Sequence, residues 1–216
     1  MPDFDDEEYE SFELEGKGGV RTTTPPPAAT SVVEVVDDLE DDDDDDDEDD
    51  DDEPEDATED EIDFVLAAYR EDGQPYVQEL SKDLANDLDE LIVQLRRLPG
   101  DAGAIGFVSL VEEVFVIVRV RGQHVQVLLS DETAAAEWPI ARDVADYLGE
   151  DIPEEEDEPE PMGDVGILSD LGLSDFELGA ILDDLDMGSD EMLMAIADKI
   201  KLNPQFRKVA EAALHG

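Results

Sequence analysis

A chain of 216 residues with 65 acidic and 13 basic side chains carries a formal net charge of −52. Such a charge repels DNA, RNA and anionic membranes and favours basic proteins or cations as partners. The chain has no cysteine, which excludes disulfides, thiolate catalysis and every zinc site built on Cys.

The charge is uneven. Residues 1–61 hold 30 acids against 2 bases, residues 62–150 hold 17 against 7, and residues 151–216 hold 18 against 4. Within the first segment, Glu40, Asp41, Asp42, Asp43, Asp44, Asp45, Asp46, Asp47, Glu48, Asp49, Asp50, Asp51, Asp52 and Glu53 form an unbroken run of carboxylates. Like charges repel, and no apolar surface is present there to offset chain entropy. Residues 1–61 are therefore expected to be a disordered acidic tail. Thr22 to Thr24 and Pro25 to Pro27 read as a stiff spacer. Val32-Val33 and Val35-Val36 read as an unstructured apolar patch rather than a docking element. The acidic N-terminus, Met1-Pro2-Asp3-Phe4-Asp5-Asp6, lacks the basic and apolar regions of a secretory signal, and no apolar run approaches a membrane span. The expected location is cytoplasmic.

Order is expected from Ile62 to Glu150. Ile62, Phe64, Leu66 and Ala68 alternate with Asp63, Val65, Ala67 and Tyr69 as in a strand. Asp72-Gly73 signals a hairpin, with Pro75 to Leu80 as the returning strand. Leu84, Leu88, Leu91, Ile92, Leu95 and Leu98 share one helical face, with Ser81 as the N-cap and Pro99-Gly100 as the stop. Ile105 to Val111 and Val114 to Val120 read as strands separated by Glu112-Glu113. The second is apolar at both parities through Val114-Phe115-Val116-Ile117-Val118, which predicts a central position in the sheet. After a turn at Gly122, Val125 to Leu129 is a fifth strand. Ser130-Asp131 then opens a helical segment broken at Trp138-Pro139, with Ile140, Val144 and Leu148 as its stripe. The expected fold class is α+β, a mostly antiparallel five-stranded sheet with helices.

Residues 151–163 read as an acidic, Pro-containing linker, and residues 164–216 as a small helical unit. Ser174-Asp175-Phe176-Glu177 is a capping box. Gly188-Ser189 opens a helix carrying Met192, Leu193, Ile196 and Ile200. Asn203-Pro204 opens a last helix with Phe206, Val209, Ala210 and Ala213 on one face. About 50 residues cannot bury much alone, so this unit is expected to pack on the sheet or on a partner.

The catalytic inventory is thin. There is no phosphate loop, and Gly100, Gly103 and Gly106 lack dinucleotide spacing, so they read as a turn and a strand entry. His124 reads as a surface strand residue and His215 as a solvated terminal one. With neither Cys nor paired His, no triad or dyad is expected. Asp183, Asp184 and Asp186 before Gly188 fail as a calcium loop, because Leu185 and Met194 fall where oxygen ligands are needed. No metal or other cofactor is expected, and no catalytic residue is assigned. Lys199, Lys201, Arg207 and Lys208 read as solubilising and helix-end charge, as do Arg96-Arg97.

Several segments together resemble a known family. They are the strand leading to Glu71-Asp72-Gly73, then Leu88-Asp89-Glu90-Leu91, Ile105-Gly106-Phe107-Val108, Val116-Ile117-Val118-Arg119-Val120 and Leu129-Ser130-Asp131. After the acidic linker comes the most specific, Gly166-Ile167-Leu168-Ser169-Asp170-Leu171-Gly172-Leu173-Ser174. In order and spacing, residues from about 62 onward resemble the actinobacterial tRNA adenosine deaminase-associated protein family. The resemblance implies a partner and no catalytic residues. Zinc deaminases need H-x-E and P-C-x-x-C motifs, which this chain lacks, so it is not itself that enzyme. The expectation is a non-catalytic accessory protein of the cytoplasm. Its partner would be a basic protein such as the tRNA adenosine deaminase, with no direct contact to nucleic acid or membrane. The carboxylates of Glu40 to Glu53 are the candidate partner-binding residues. The alternatives are an acidic nucleic-acid mimic or chaperone for basic proteins and, less favoured, an undetected enzyme.

Overall fold

Phe64 to Ala68, Ala104 to Leu110 and Val114 to Val120 are buried at nearly every position. A strand with one wet face alternates; an unbroken buried run needs cover on both faces. The computed structural model, which describes residues 54–100, 102–153, 159–184 and 186–215, supplies that cover. Six antiparallel strands run β1 (Ile62–Glu71), β2 (Gln74–Glu79), β3 (Ala104–Leu110), β4 (Val114–Arg121), β5 (His124–Leu129) and β6 (Met162–Gly163). Their spatial order is β2-β1-β3-β4-β5-β6, so β4 sits inside the sheet as its apolar run predicts.

Two helical layers close the faces. On one, α1 (Leu88–Arg96) and α2 (Pro139–Leu148) bring Leu91, Leu95, Ile140 and Val144 against Val65, Ala67, Val108, Val116 and Val118. On the other, α3 (Asp175–Leu182), α4 (Ser189–Lys199) and α5 (Gln205–Leu214) bring Leu178, Leu193, Ile196 and Phe206 against Phe64, Leu66, Phe107, Phe115 and Ile117. The fold is α+β, with the C-terminal helices forming the second layer over the sheet.

The sheet has six strands rather than five. Met162-Gly163, at the end of the acidic linker, pairs with Leu129 and Leu128. Met162 is buried, and the Asp164 amide donates to the Val127 carbonyl at 2.9 Å. Two residues with one apolar side chain have no periodicity to read, so this strand is visible only in its pairing.

The helix expected from Leu84 to Leu98 is broken in two. Lys82–Asn86 is a 3-10 turn, Asp87 is extended, and α1 starts at Leu88. Ser81 makes no cap; its hydroxyl bonds the Asp83 carboxylate instead. Asp87 is the N-cap, accepting from the Glu90 amide at 2.7 Å. The break lets Asn86 exchange two hydrogen bonds with the Ala57 backbone and tie down the entry to the sheet.

The strand expected to reach Val111 stops at Leu110. Val111 and Glu112 both adopt left-handed backbone angles in the β3–β4 loop, at φ 48° and 58°. A β-branched residue disfavours that region, and three contacts hold it there. The Val111 amide donates to the Glu61 carbonyl, the Glu112 amide to the Asp63 carboxylate at 2.8 Å, and the Ser189 amide to the Glu112 carbonyl. Asp63 is free to do this because the β1–β3 register slips between Ile62 and Phe64. Ile62 consequently faces the α1–α2 layer while Phe64 faces the C-terminal layer.

The remaining punctuation follows the sequence closely. Asp72-Gly73 turns the β1–β2 hairpin at φ 52° and 76°. Pro139 is the first residue of α2, and Ser174 and Glu177 close the expected capping box on α3. Pro204 precedes rather than begins α5, across a cis peptide bond from Asn203. Gly103 takes φ 83° at the entry to β3, where a Cβ would lie 2.1 Å from the Val120 carbonyl oxygen. Gly106 lets α1 approach the sheet, since its Cβ would lie 3.0 Å from a Leu95 methyl.

Candidate protein-interaction surface

The polar side chains that the fold positions fall into three groups. The first is buried. Arg119 stands in the middle of β4 on the face of Phe115 and Ile117, yet is only 1% exposed. Its guanidinium grips Asp170 through both terminal nitrogens, with Nη2 to Oδ2 at 2.8 Å, and donates to the Ile167 carbonyl at 2.7 Å. Arg121 approaches the same carboxylate at 3.5 Å. The Arg119 hydrogen bonds hold the Asp170 carboxyl below the usual aspartate range, against the opposing effect of burial. Arg119 Nε makes no hydrogen bond. The grip fixes the 3-10 turn Ser169–Leu171 to the sheet, so that Ile167, Leu168 and Leu173 seal beneath it. Its role is structural. No motif marks Arg119 in the sequence, although an Arg flanked by Val118 and Val120 in a doubly buried strand signals a partner across the layer. Ser109 and Ser189 are likewise buried, sharing a 2.7 Å hydrogen bond, and Ser109 also donates to Asp63.

The second group lies where α1 and α2 begin and end. Asn86, Asp87, Leu88, Asp89, Asp143, Asp146 and Tyr147 line an open groove of about 520 Å³. Asp143 reaches from α2 to accept the Leu88 amide at 3.0 Å, satisfying a second free donor at the α1 N-terminus. Burial pushes its carboxyl above the ordinary range; the Leu88 bond opposes this, and Asp87, Asp146 and Asp89 add to it. Tyr147 stands half-exposed at the rim. The arrangement suits a lysine or arginine from another protein, which would meet carboxylates and an aromatic face together.

The third group is on the C-terminal layer. Phe176, in the first turn of α3, is 84% exposed, far more than Tyr76, Val93 or Tyr147. Lys199 of α4 pairs with Glu177 of α3 at 3.0 Å, while Arg207 and Lys208 lie exposed on α5. Met187, Glu191, Met194, Ala195, Asp198 and Arg207 line an open groove of about 370 Å³.

His124 is exposed on β5, and His215 bonds the Glu211 carbonyl at the end of α5. Among the described residues, no group of three or more His, Asp or Glu side chains is arranged to hold a metal ion, and no helix is long and apolar enough to cross a membrane. The run Glu40 to Glu53 and the apolar patch at Val32 to Val36 lie outside the described residues.

The Rv3753c-like tRNA adenosine deaminase-associated protein family matches residues 63–203, from β1 through α4. Protein Rv3753c of Mycobacterium tuberculosis is 35% identical over 151 residues, covering 68% of this chain and 87% of that protein. No solved structure matches the chain. The stretch Gly166 to Ser174, on which the resemblance leans most, is the one that receives Arg119 and then caps α3. With the match covering well over half of the chain, including α1 to α4 and the strands of the sheet, the chain belongs to the Rv3753c-like tRNA adenosine deaminase-associated protein family.

Proposed function

We propose that the protein is a non-catalytic accessory partner of the tRNA adenosine deaminase, the enzyme that converts adenosine to inosine in tRNA, and acts with it in the cytoplasm. Membership of a family described by that association is the observation that carries the reading. The electrostatics supply the mode. An enzyme that takes tRNA presents Lys and Arg to phosphates. A protein of net charge −52 competes for the same cations. Glu40 to Glu53 steer the encounter at long range, and the folded part with its acidic groove at α1–α2 makes the specific contact.

The test is size-exclusion chromatography with light scattering. The full chain, and a variant whose residues 40–53 are replaced by Ser and Gly at equal length, are each mixed with the tRNA adenosine deaminase of the same organism. A stoichiometric complex with both, weakening as salt rises, is the expected result. No complex with either at near-physiological salt would overturn the reading. The fourteen consecutive carboxylates favour a second reading, a nucleic-acid mimic or chaperone for several basic proteins. That reading requires many basic clients to bind and all binding to vanish with the run.

A further inference from the structure

The acidity of the C-terminal layer is patterned. On α4, Glu191, Met194, Ala195 and Asp198 stand at i, i+3, i+4 and i+7, one stripe along the helix. Glu191 and Asp198 are exposed, and Met194 and Ala195 are half-buried between them. Met187, also half-buried, extends the apolar floor, and Arg207 of α5 forms the far wall of the 370 Å³ groove. Among the described residues no ion pair joins Arg207 to either carboxylate. Among the described residues, the side-chain bond on this stripe is from Asn203 Nδ2 to Asp198 at 3.3 Å. The stripe is thus an apolar strip with an acid at each end. Thioether side chains adapt to varied apolar shapes, which suits a docking floor.

We infer that this groove docks an amphipathic helix of a basic partner, carrying Lys or Arg at i and i+7 with apolar residues at i+3 and i+4 between them. The spacing selects the occupant. Seven residues along α4 separate Glu191 from Asp198 by about 10.5 Å. An extended segment offers same-face side chains at about 6.6 or 13 Å and misses one acid. A helix offers about 10.5 Å with two apolar residues between, the charge-reversed counterpart of α4 itself. Charge complementarity sets the sign: residues 151–216 hold 18 acids against 4 bases. Arg207 sets orientation by taking a carboxylate on the partner helix. This inference deepens the accessory reading and rests on it for a basic protein partner.

The probe is a synthetic helical peptide bearing that pattern. Its control is a peptide of identical composition, scrambled so that the bases leave the apolar face. Binding to the full chain is read by fluorescence anisotropy. The patterned peptide is expected to bind at least tenfold more tightly than the scrambled one. E191K/D198K, at two exposed positions, is expected to remove that preference while the variant still melts cooperatively, its melt lowered only slightly by loss of the Asn203 bond and by a cation in the first turn of α4. A peptide with Glu at i and i+7 is expected to prefer the Lys variant. Equal binding of patterned and scrambled peptides, or an unchanged preference in E191K/D198K, overturns the inference. The deaminase separates the two readings. If it binds wild type and E191K/D198K equally, the groove inference fails and the accessory reading stands. If the patterned peptide discriminates but the deaminase forms no complex, the accessory reading fails and the groove stands.

Discussion

The two faces of the sheet are covered in different ways. Helices α1 and α2 cover the first from within the strand order, and its core is aliphatic: Leu, Ile, Val and Ala, with Met162 at the edge. The segment after β6 covers the second, and its core adds an aromatic trio. Phe206 of α5 meets Phe64 and Phe107 edge-on at 6.1 and 5.1 Å. That face also buries a cation, Arg119, clamped to Asp170. A layer laid down between strands is tethered to the sheet at both ends of each helix. One attached through a single chain crossing must be positioned by its contacts, and here a directional clamp and interlocking rings do so.

The largest expected effect comes from removing the keystone ring. Phe206→Ala should cost about 3–5 kcal/mol, as for large-to-small changes in a packed core. Native-state hydrogen exchange should then rise across α4 and α5 well before α1 and α2; a uniform rise over both layers would mean that the faces unfold as one unit. Asp170→Ala comes next. It leaves the Arg119 guanidinium with the Ile167 carbonyl alone and should cost about 2 kcal/mol. That is below the ~3–5 of a fully buried pair because Asp170 is 53% exposed. The same residue gives a pH test. Its folded-state pKa is lowered, so its contribution is present above the ordinary aspartate range and is lost as pH falls through the folded value. Asp170→Asn should flatten that acid limb in urea melts.

Smaller effects sharpen the contrast. Ser174→Ala removes the α3 cap and should cost about 1 kcal/mol in thermal denaturation. On the first face, Asp143 has a raised pKa, so its ionisation lowers stability as pH rises from the ordinary aspartate value through the folded one. Asp143→Asn keeps an acceptor for the Leu88 amide and should raise the melting temperature slightly at neutral pH, with no gain in acid. A loss at neutral pH would instead mean that the Leu88 bond depends on the full negative charge.

Much of this is legible in the sequence. Asp72-Gly73, Pro139, and Ser174 with Glu177 act locally, through backbone angles and cap bonds that depend on the residues themselves. The five longer strands followed from alternation, an unbroken apolar run and turn signals, and the helical stripes from their period. The helix break at Asp87 was not legible, because Leu84 and Leu88 keep helical spacing across it and the cause, Asn86 bonding the Ala57 backbone, lies 29 residues away. Val111 at positive φ runs against its own preference and is held by Glu61, Asp63 and the start of α4. The candidate surfaces divide similarly. The carboxylate run is plain in the sequence. The α1–α2 groove needs Asp143 brought beside Asp87, and the α4 groove needs α5 laid alongside.

By itself the sequence determined the five longer strands, the helical stripes, the Asp72-Gly73 turn, the Ser174 cap, the family and the overwhelming negative charge, because each depends on neighbours in the chain or on sums along it. Only the tertiary structure decided that the C-terminal helices form the second layer, that Met162-Gly163 joins the sheet, that Arg119 finds Asp170, and which acids line grooves. Those outcomes depend on which distant residues share one low-dielectric space, and a period of two or 3.6 residues carries no information about that.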